Sequence, residues 1–196
     1  MTQRLLVVCH ANVCRSPVML WTLQSLVHAD AVSFASAGTH AMRPDPICDV
    51  ALEVLADAVP EQSRDGSAVQ VTRDQIDEAD LIITATKHQR GEIALMSHDA
   101  RNRTFTLREA LLLGEIAERG SHRHDGADLS AYAARLHGSR GLLQLTPPSR
   151  LRRVKSDPLD HVDVHRDRAR GHRNGLIAVQ SDTRRFAAHL RSALDG

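Results

Sequence analysis

The chain is 196 residues long, enough for one complete domain and short of two, and its 25 basic and 24 acidic residues leave a net charge near +1. That balance excludes wholesale binding to nucleic acid or to a membrane surface, so neither is expected as a partner. Aromatic residues make up only 3%, so the core must rest on Leu, Val, Ile and Ala, and stacking surfaces for a substrate are scarce.

The first element, Arg4 to Val8, is a nearly continuous apolar run with two valines, the pattern of a strand buried on both faces of a parallel sheet. The run stops at a polar loop, far short of a signal-peptide core, and no later stretch approaches a membrane span. A cytoplasmic setting is therefore expected, and in that compartment an odd count of three cysteines favours free thiols over a disulfide framework. After the loop, Ser16 suits an N-cap, Pro17 suits the first helical position, and Val18 to Val27 carry a broad apolar face. The alternation continues with a strand at Val32 to Ala37, a helix at Ile47 to Ala58, a strand at Leu81 to Thr84 and a helix at Lys87 to Met96. A fourth strand near Arg103 to Thr106 precedes a helix at Leu107 to Glu118.

Such alternation predicts an α/β fold: a single-domain (1–196), three-layer, doubly wound architecture of the flavodoxin-like kind, with a four-stranded parallel sheet and a polar loop after strand 1. Ligands of such sheets sit at the carboxyl ends of the strands, where Cys9 lies. Between residues 119 and 155 the alternation breaks around a short helix at Leu129 to Leu136. With eight Arg or Lys against two Asp, this basic elaboration reads as a solvated surface loop. From Leu176 to Leu194 apolar residues return at helical spacing as a closing helix.

The chemistry is concentrated in CHANVCRSP, from Cys9 to Pro17. A loop between a buried strand and a helix N-terminus gathers backbone N–H groups toward one point, and the helix end adds partial positive charge there. Such a cradle binds oxyanions. His10, Ala11, Asn12, Val13 and Cys14 would line it, and Arg15 supplies a planar guanidinium able to hold two phosphate oxygens in parallel. Cys9 sits within reach of a bound phosphorus, where the same donors stabilise a thiolate nucleophile. Ser16 can donate to that thiolate, and Asn12 tolerates the left-handed backbone a tightly curled loop requires. The pattern is neither a nucleotide P-loop nor a dinucleotide turn. No cofactor is expected.

The spacing Cys, five residues, Arg, Ser closely resembles the active-site loop of the low-molecular-weight protein tyrosine phosphatases. SAGTHA at Ser36 to Ala41, PDP at Pro44 to Pro46, QVT at Gln70 to Thr72 and LIITATKHQR at Leu81 to Arg90 resemble family segments in the expected order. The resemblance implies hydrolysis of phosphomonoesters, phosphotyrosine on proteins foremost, through a phosphocysteine formed on Cys9. It also implies a general acid in an Asp-Pro pair near the C-terminus. Two such pairs exist, and Asp157-Pro158 fits, because it precedes the closing helix, whereas Asp45-Pro46 falls where relatives carry a noncatalytic pair. The partner is then a phosphorylated protein; nothing in the pattern specifies an oligomeric state.

Several positions depart from the family pattern. Ala11 stands for a common glycine, Leu159-Asp160 follows the Asp-Pro pair where an aromatic is frequent, and Gly66 replaces a histidine that steadies the loop asparagine. Val13 matches the tyrosine branch, since arginine phosphatases carry Thr there. Cys14 reads as a backup thiol able to pair with Cys9 under oxidation, and Cys48 as a plain buried thiol. His161 and His165 flank Asp163 at helical spacing but lack a third convincing ligand, so no metal is expected. Two other functions stay open: a small-thiol-coupled arsenate reductase on the same scaffold, and a phosphoprotein-binding module with weak or no catalysis.

Overall fold

The structure, a computed structural model, describes residues 2–28, 32–55, 66–119, 128–144, 157–163, 165 and 169–194. Strands β1 (Gln3–Cys9), β2 (Val32–Gly38), β3 (Leu81–Thr84) and β4 (Thr104–Thr106) form an all-parallel sheet in the order β2-β1-β3-β4. Helices α1 (Arg15–Leu26), α2 (Asp49–Leu55), α3 (Arg73–Asp77), α4 (Lys87–Met96), α5 (Leu107–Arg119), α6 (Leu129–Ser139) and α7 (Ala169–Leu194) cover its two faces. This is a three-layer, flavodoxin-like α/β fold.

Central β1 shows why. Leu5, Val7 and Cys9 point into one core with residues of α1, α2, α5, α6 and α7, while Leu6 and Val8 point into a second with Ile76 of α3 and Ile93 of α4. Period-two alternation thus becomes burial on both faces, which is why the run is apolar without interruption. Each fully buried Val, Leu or Ile contributes about 1.5–3 kcal/mol relative to an exposed one. The strand order reverses direction at β1, and the crevice so formed at the carboxyl ends of β1 and β3 is where the Cys9 loop emerges.

Four local features differ from the sequence reading. Ser16 is not the cap of α1: Cys14 occupies that position without a side-chain cap bond, and the Ser16 hydroxyl turns into the loop instead. The closing helix begins at Ala169, seven residues before Leu176, because its polar first turns carry no apolar periodicity. Helix α3 escapes periodicity altogether at 5 residues; its signal is the capping box between Thr72 and Gln75. The expected helix at Ile47 to Ala58 is seen as Asp49–Leu55, and its last residues lie outside the described ones.

Within the basic segment, residues 120–127 and 145–155 also lie outside the described ones. What is described does not behave as a solvated loop. Leu129, Tyr132, Ala133 and Leu136 of α6 are buried in the main core. Arg140 bonds Glu109 at 3.0 Å and the Thr104 carbonyl at 2.7 Å, and its guanidinium lies 4.3 Å from the centre of the Phe105 ring. No described helix is long and apolar enough to cross a membrane.

Candidate active site

The loop from Cys9 to Ser16 curls because Asn12 adopts φ 58°, the only positive φ among described non-glycine residues. That turn aims the Asn12 N–H at Cys9 Sγ, 3.3 Å away, while Ser16 Oγ lies 3.0 Å from the same sulfur. The Asn12 side chain locks the curl: Nδ2 donates to Ser16 Oγ (2.8 Å) and to Ser36 Oγ (3.0 Å), and Oδ1 accepts the Val69 N–H at 2.9 Å. With Asn12 donating to Ser16, the Ser16 hydrogen is left for Cys9 Sγ or for the Ala37 carbonyl at 3.3 Å. Gly66 therefore leaves the asparagine anchored, since Ser36 and Val69 do that work.

The loop packs directly on the end of β2. A Cβ at Gly38 would lie 2.6 Å from the His10 carbonyl oxygen and 2.8 Å from Asn12 N, backbone atoms that cannot yield without moving the loop. Thr39 N–H and His40 N–H complete the clasp on the carbonyls of Cys9 (3.0 Å) and His10 (2.7 Å). The rings of His10 and His40 stack at 4.5 Å with 25° between planes, a broad imidazole surface beside Cys9 in a chain poor in aromatics.

Arg15 opens α1 and is only 4% exposed. Its Nη1 donates to the His161 carbonyl at 2.9 Å and its Nη2 pairs with Asp163 at 3.0 Å, so the guanidinium is held in place by a segment nearly 150 residues downstream. Three of its five N–H donors remain for an oxyanion. That downstream segment, 157–163, lies across the carboxyl ends of β3 and β4. His161 N–H donates to the Ala85 carbonyl (2.8 Å), Thr106 Oγ1 to the Leu159 carbonyl (2.8 Å), and Lys87 N–H to Asp160 (2.8 Å). Arg108 reinforces it, bonding the Asp160 carbonyl at 3.1 Å while its Nε pairs with Asp182 of α7.

Asp157 thus belongs to a segment at the carboxyl-terminal end of the strands, the end at which Cys9 lies. Its carboxylate accepts from Lys87 Nζ (2.8 Å) and from the Leu159 N–H (2.9 Å), and these two bonds hold it below the usual carboxylate range. Asp45, of the other Asp-Pro pair, is exposed in a short antiparallel bridge between Pro46 and Ser67. Cys14 faces away from the expected pairing with Cys9. Its sulfur lies 2.9 Å from Cys48 Sγ and 3.1 Å from His165 Nδ1. The hydrogen bond from Cys14 lowers Cys48 to about 7, while that same contact and burial push Cys14 up. Lys87, Arg108, Ser36 and Asp163 carry no local motif signal; only the fold brings them to this site.

No curated protein matches the chain. Among solved structures it is similar to the YwlE arginine phosphatase from Geobacillus stearothermophilus, at 19% identity over 97% of this chain and 94% of that one, TM-score 0.64. It is equally similar to the tyrosine phosphatase amsI of Erwinia amylovora, at 19% identity over 100% and 95% of the two chains, TM-score 0.64. The tyrosine phosphatase Wzb of Escherichia coli K30, in complex with sulphate, aligns at 16% identity over 96% and 98%, TM-score 0.60. At such identities the likeness carries the fold. The sequence profile of low molecular weight phosphotyrosine protein phosphatases, by contrast, matches residues 4–113, more than half the chain and the whole of the Cys9 loop. The chain belongs to the low molecular weight phosphotyrosine protein phosphatase family.

Proposed function

We propose that this cysteine-dependent phosphatase hydrolyses phosphotyrosine on proteins, with Cys9 as nucleophile, Arg15 as the clamp on the phosphoryl oxygens and Asp157 as acid and then base. The observation that carries the reading is the convergence on Cys9 Sγ of the Asn12 N–H and the Ser16 hydroxyl beside a buried, pre-positioned Arg15. Both groups touch the sulfur that would attack phosphorus and fix its position. In the first step the sulfur attacks phosphorus in line, the phosphorus–oxygen bond breaks, and the leaving phenolate takes a proton from Asp157. In the second, Asp157 takes a proton from water as its oxygen attacks phosphorus, the phosphorus–sulfur bond breaks, and inorganic phosphate and the Cys9 thiolate result. Arg15 and the loop N–H groups neutralise the charge that develops on the equatorial oxygens.

Support for tyrosine comes from Val13 and from the His10–His40 stack, which offers an aryl ring a flat wall. The proposal includes a single phosphatase domain and a cytoplasmic setting in which the three thiols stay reduced. Side-by-side assay of phosphotyrosine, phosphoserine and phosphoarginine peptides, with arsenate reduction in parallel, tests it. Phosphotyrosine should give the largest kcat/KM. Preference for phosphoarginine would move the chain to the arginine branch, and arsenate turnover without phosphotyrosine hydrolysis would replace hydrolysis by redox chemistry.

Lys87 provides a second test. An acid must be protonated to donate, so activity falls as pH rises through its pKa, and Lys87 holds that pKa down. Lys87→Met should therefore move the basic limb of the kcat profile to higher pH, measured with a phenyl ester that needs the acid. An unmoved limb would show that Asp157 does not set it.

A further inference from the structure

Four side chains that the phosphatase mechanism does not use meet on the far side of the loop. Cys14, from the loop itself, Cys48, just before α2, His165, beyond the acid segment, and His172, in the opening turns of α7, bring their ligand atoms within 4.8 Å of one another. Cys14 Sγ is 2.9 Å from Cys48 Sγ and 3.1 Å from His165 Nδ1, and Cys48 Sγ is 3.9 Å from His172 Nε2. The two imidazoles stand edge to face at 5.1 Å, each turned to a sulfur. We propose that these four residues form a zinc site.

The chemistry favours a metal over the alternatives. Tetrahedral zinc with bonds of about 2.0–2.1 Å to nitrogen and about 2.3 Å to sulfur needs its ligand atoms roughly 3.3–3.8 Å apart, a spacing this cluster reaches with small side-chain adjustments. A disulfide would engage the two sulfurs but make no use of two imidazole nitrogens aimed at them. Two thiolates and two neutral imidazoles around Zn2+ sum to zero charge, which suits a site where Cys14 and His172 are each 5% exposed. His165 is exposed and offers a route in. Binding converts two S–H groups into two S–Zn bonds and releases two protons. Tetrahedral coordination by two sulfurs and two nitrogens selects zinc among the common divalent ions.

Four protein ligands leave no open position, so the ion is structural. Its place gives it a purpose: it would tie the phosphate loop, the start of α2, the acid-bearing segment and α7 to one point. The backbone at His165 connects to the active site: its N–H donates to the Asp163 carboxylate at 3.0 Å, and Asp163 pairs with Arg15. A bound Cys14 is also unavailable to pair with Cys9. Sequence spacing hides the site, because Cys14 and His165 lie 151 positions apart and no two ligands share an element.

The test uses the full chain, purified under reducing conditions. Metal analysis should find one zinc per chain in the wild type and in Cys9→Ser, and little in Cys48→Ser or His172→Asn. Cobalt(II) added to chelator-stripped protein should give thiolate charge-transfer absorption and the intense visible bands of a tetrahedral site. His165→Asn, at an exposed position that folding tolerates, should weaken zinc by more than the about 10–100-fold that loss of an outer-shell partner costs. A chelator should lower the Tm of the wild type but not of His172→Asn. Equal zinc in all variants, absence of tetrahedral cobalt spectra, or an intact mass two hydrogens short that marks a Cys14–Cys48 disulfide in the purified protein would overturn the proposal.

Discussion

Cys9→Ser should abolish turnover while leaving oxyanion binding in place. The cradle is built from loop N–H groups and Arg15, and the contacts that hold it, Asn12 to Ser36 and Val69 and Arg15 to His161 and Asp163, do not pass through the sulfur. A serine hydroxyl keeps the shape of the site but is a far weaker nucleophile at neutral pH and a poorer leaving group than a thiolate, so turnover is lost. Loss of a covalent nucleophile is expected to reduce kcat by at least about four orders of magnitude. Calorimetric titration with phosphate or vanadate, beside turnover of an aryl phosphate, separates the two effects. Cys14→Ser should behave differently, lowering turnover partially through a loosened loop. A dead Cys14→Ser beside an active Cys9→Ser would reverse the assignment of the nucleophile.

Asp157→Asn should cost about two to four orders of magnitude in kcat for phosphotyrosine, the usual worth of a general acid. The loss should shrink for aryl phosphates whose phenol is already acidic, because such an oxygen leaves without a proton. This dependence on the leaving group distinguishes an acid from a residue that merely shapes the site. Asp45→Asn should do little, since Asp45 is exposed and its part in the fold is a carbonyl that accepts the Ala68 N–H at 2.8 Å. The comparison matters because the family profile ends at residue 113 and Asp157 lies beyond it. A Brønsted plot of kcat against leaving-group pKa for both variants decides the matter. Steepening with Asp45→Asn and not with Asp157→Asn would place the acid at the other Asp-Pro pair.

The element that carries the chemistry was legible because it is local. A buried strand, a polar turn and a helix start follow one another within Gln3–Leu26, so the run of apolar residues, the nine residues from Cys9 to Pro17 and the helical face that follows specify each other at short range. Parallel order followed too, since strands alternating with helices leave few ways to cover both faces of a sheet. The same locality explains the errors. Ser16 looks like a cap when read against its neighbours, yet Cys9 and Asn12 reach its hydroxyl in space. The opening turns of α7 are polar and read as loop, although His172 within them is buried.

Only the tertiary structure decided what supports the site. Arg15 is held by His161 and Asp163, Asn12 by Ser36 and Val69, and Asp157 by Lys87, each pair separated by at least 24 positions with no spacing rule to connect them. Cys14, paired by proximity in sequence with Cys9, turns instead to Cys48 and His165. The reason is geometric: neighbours in a tight loop point their side chains to different sides, and what lies on the far side is set by the packing of α2, α7 and the segment before α7, which no run of residues around Cys14 encodes.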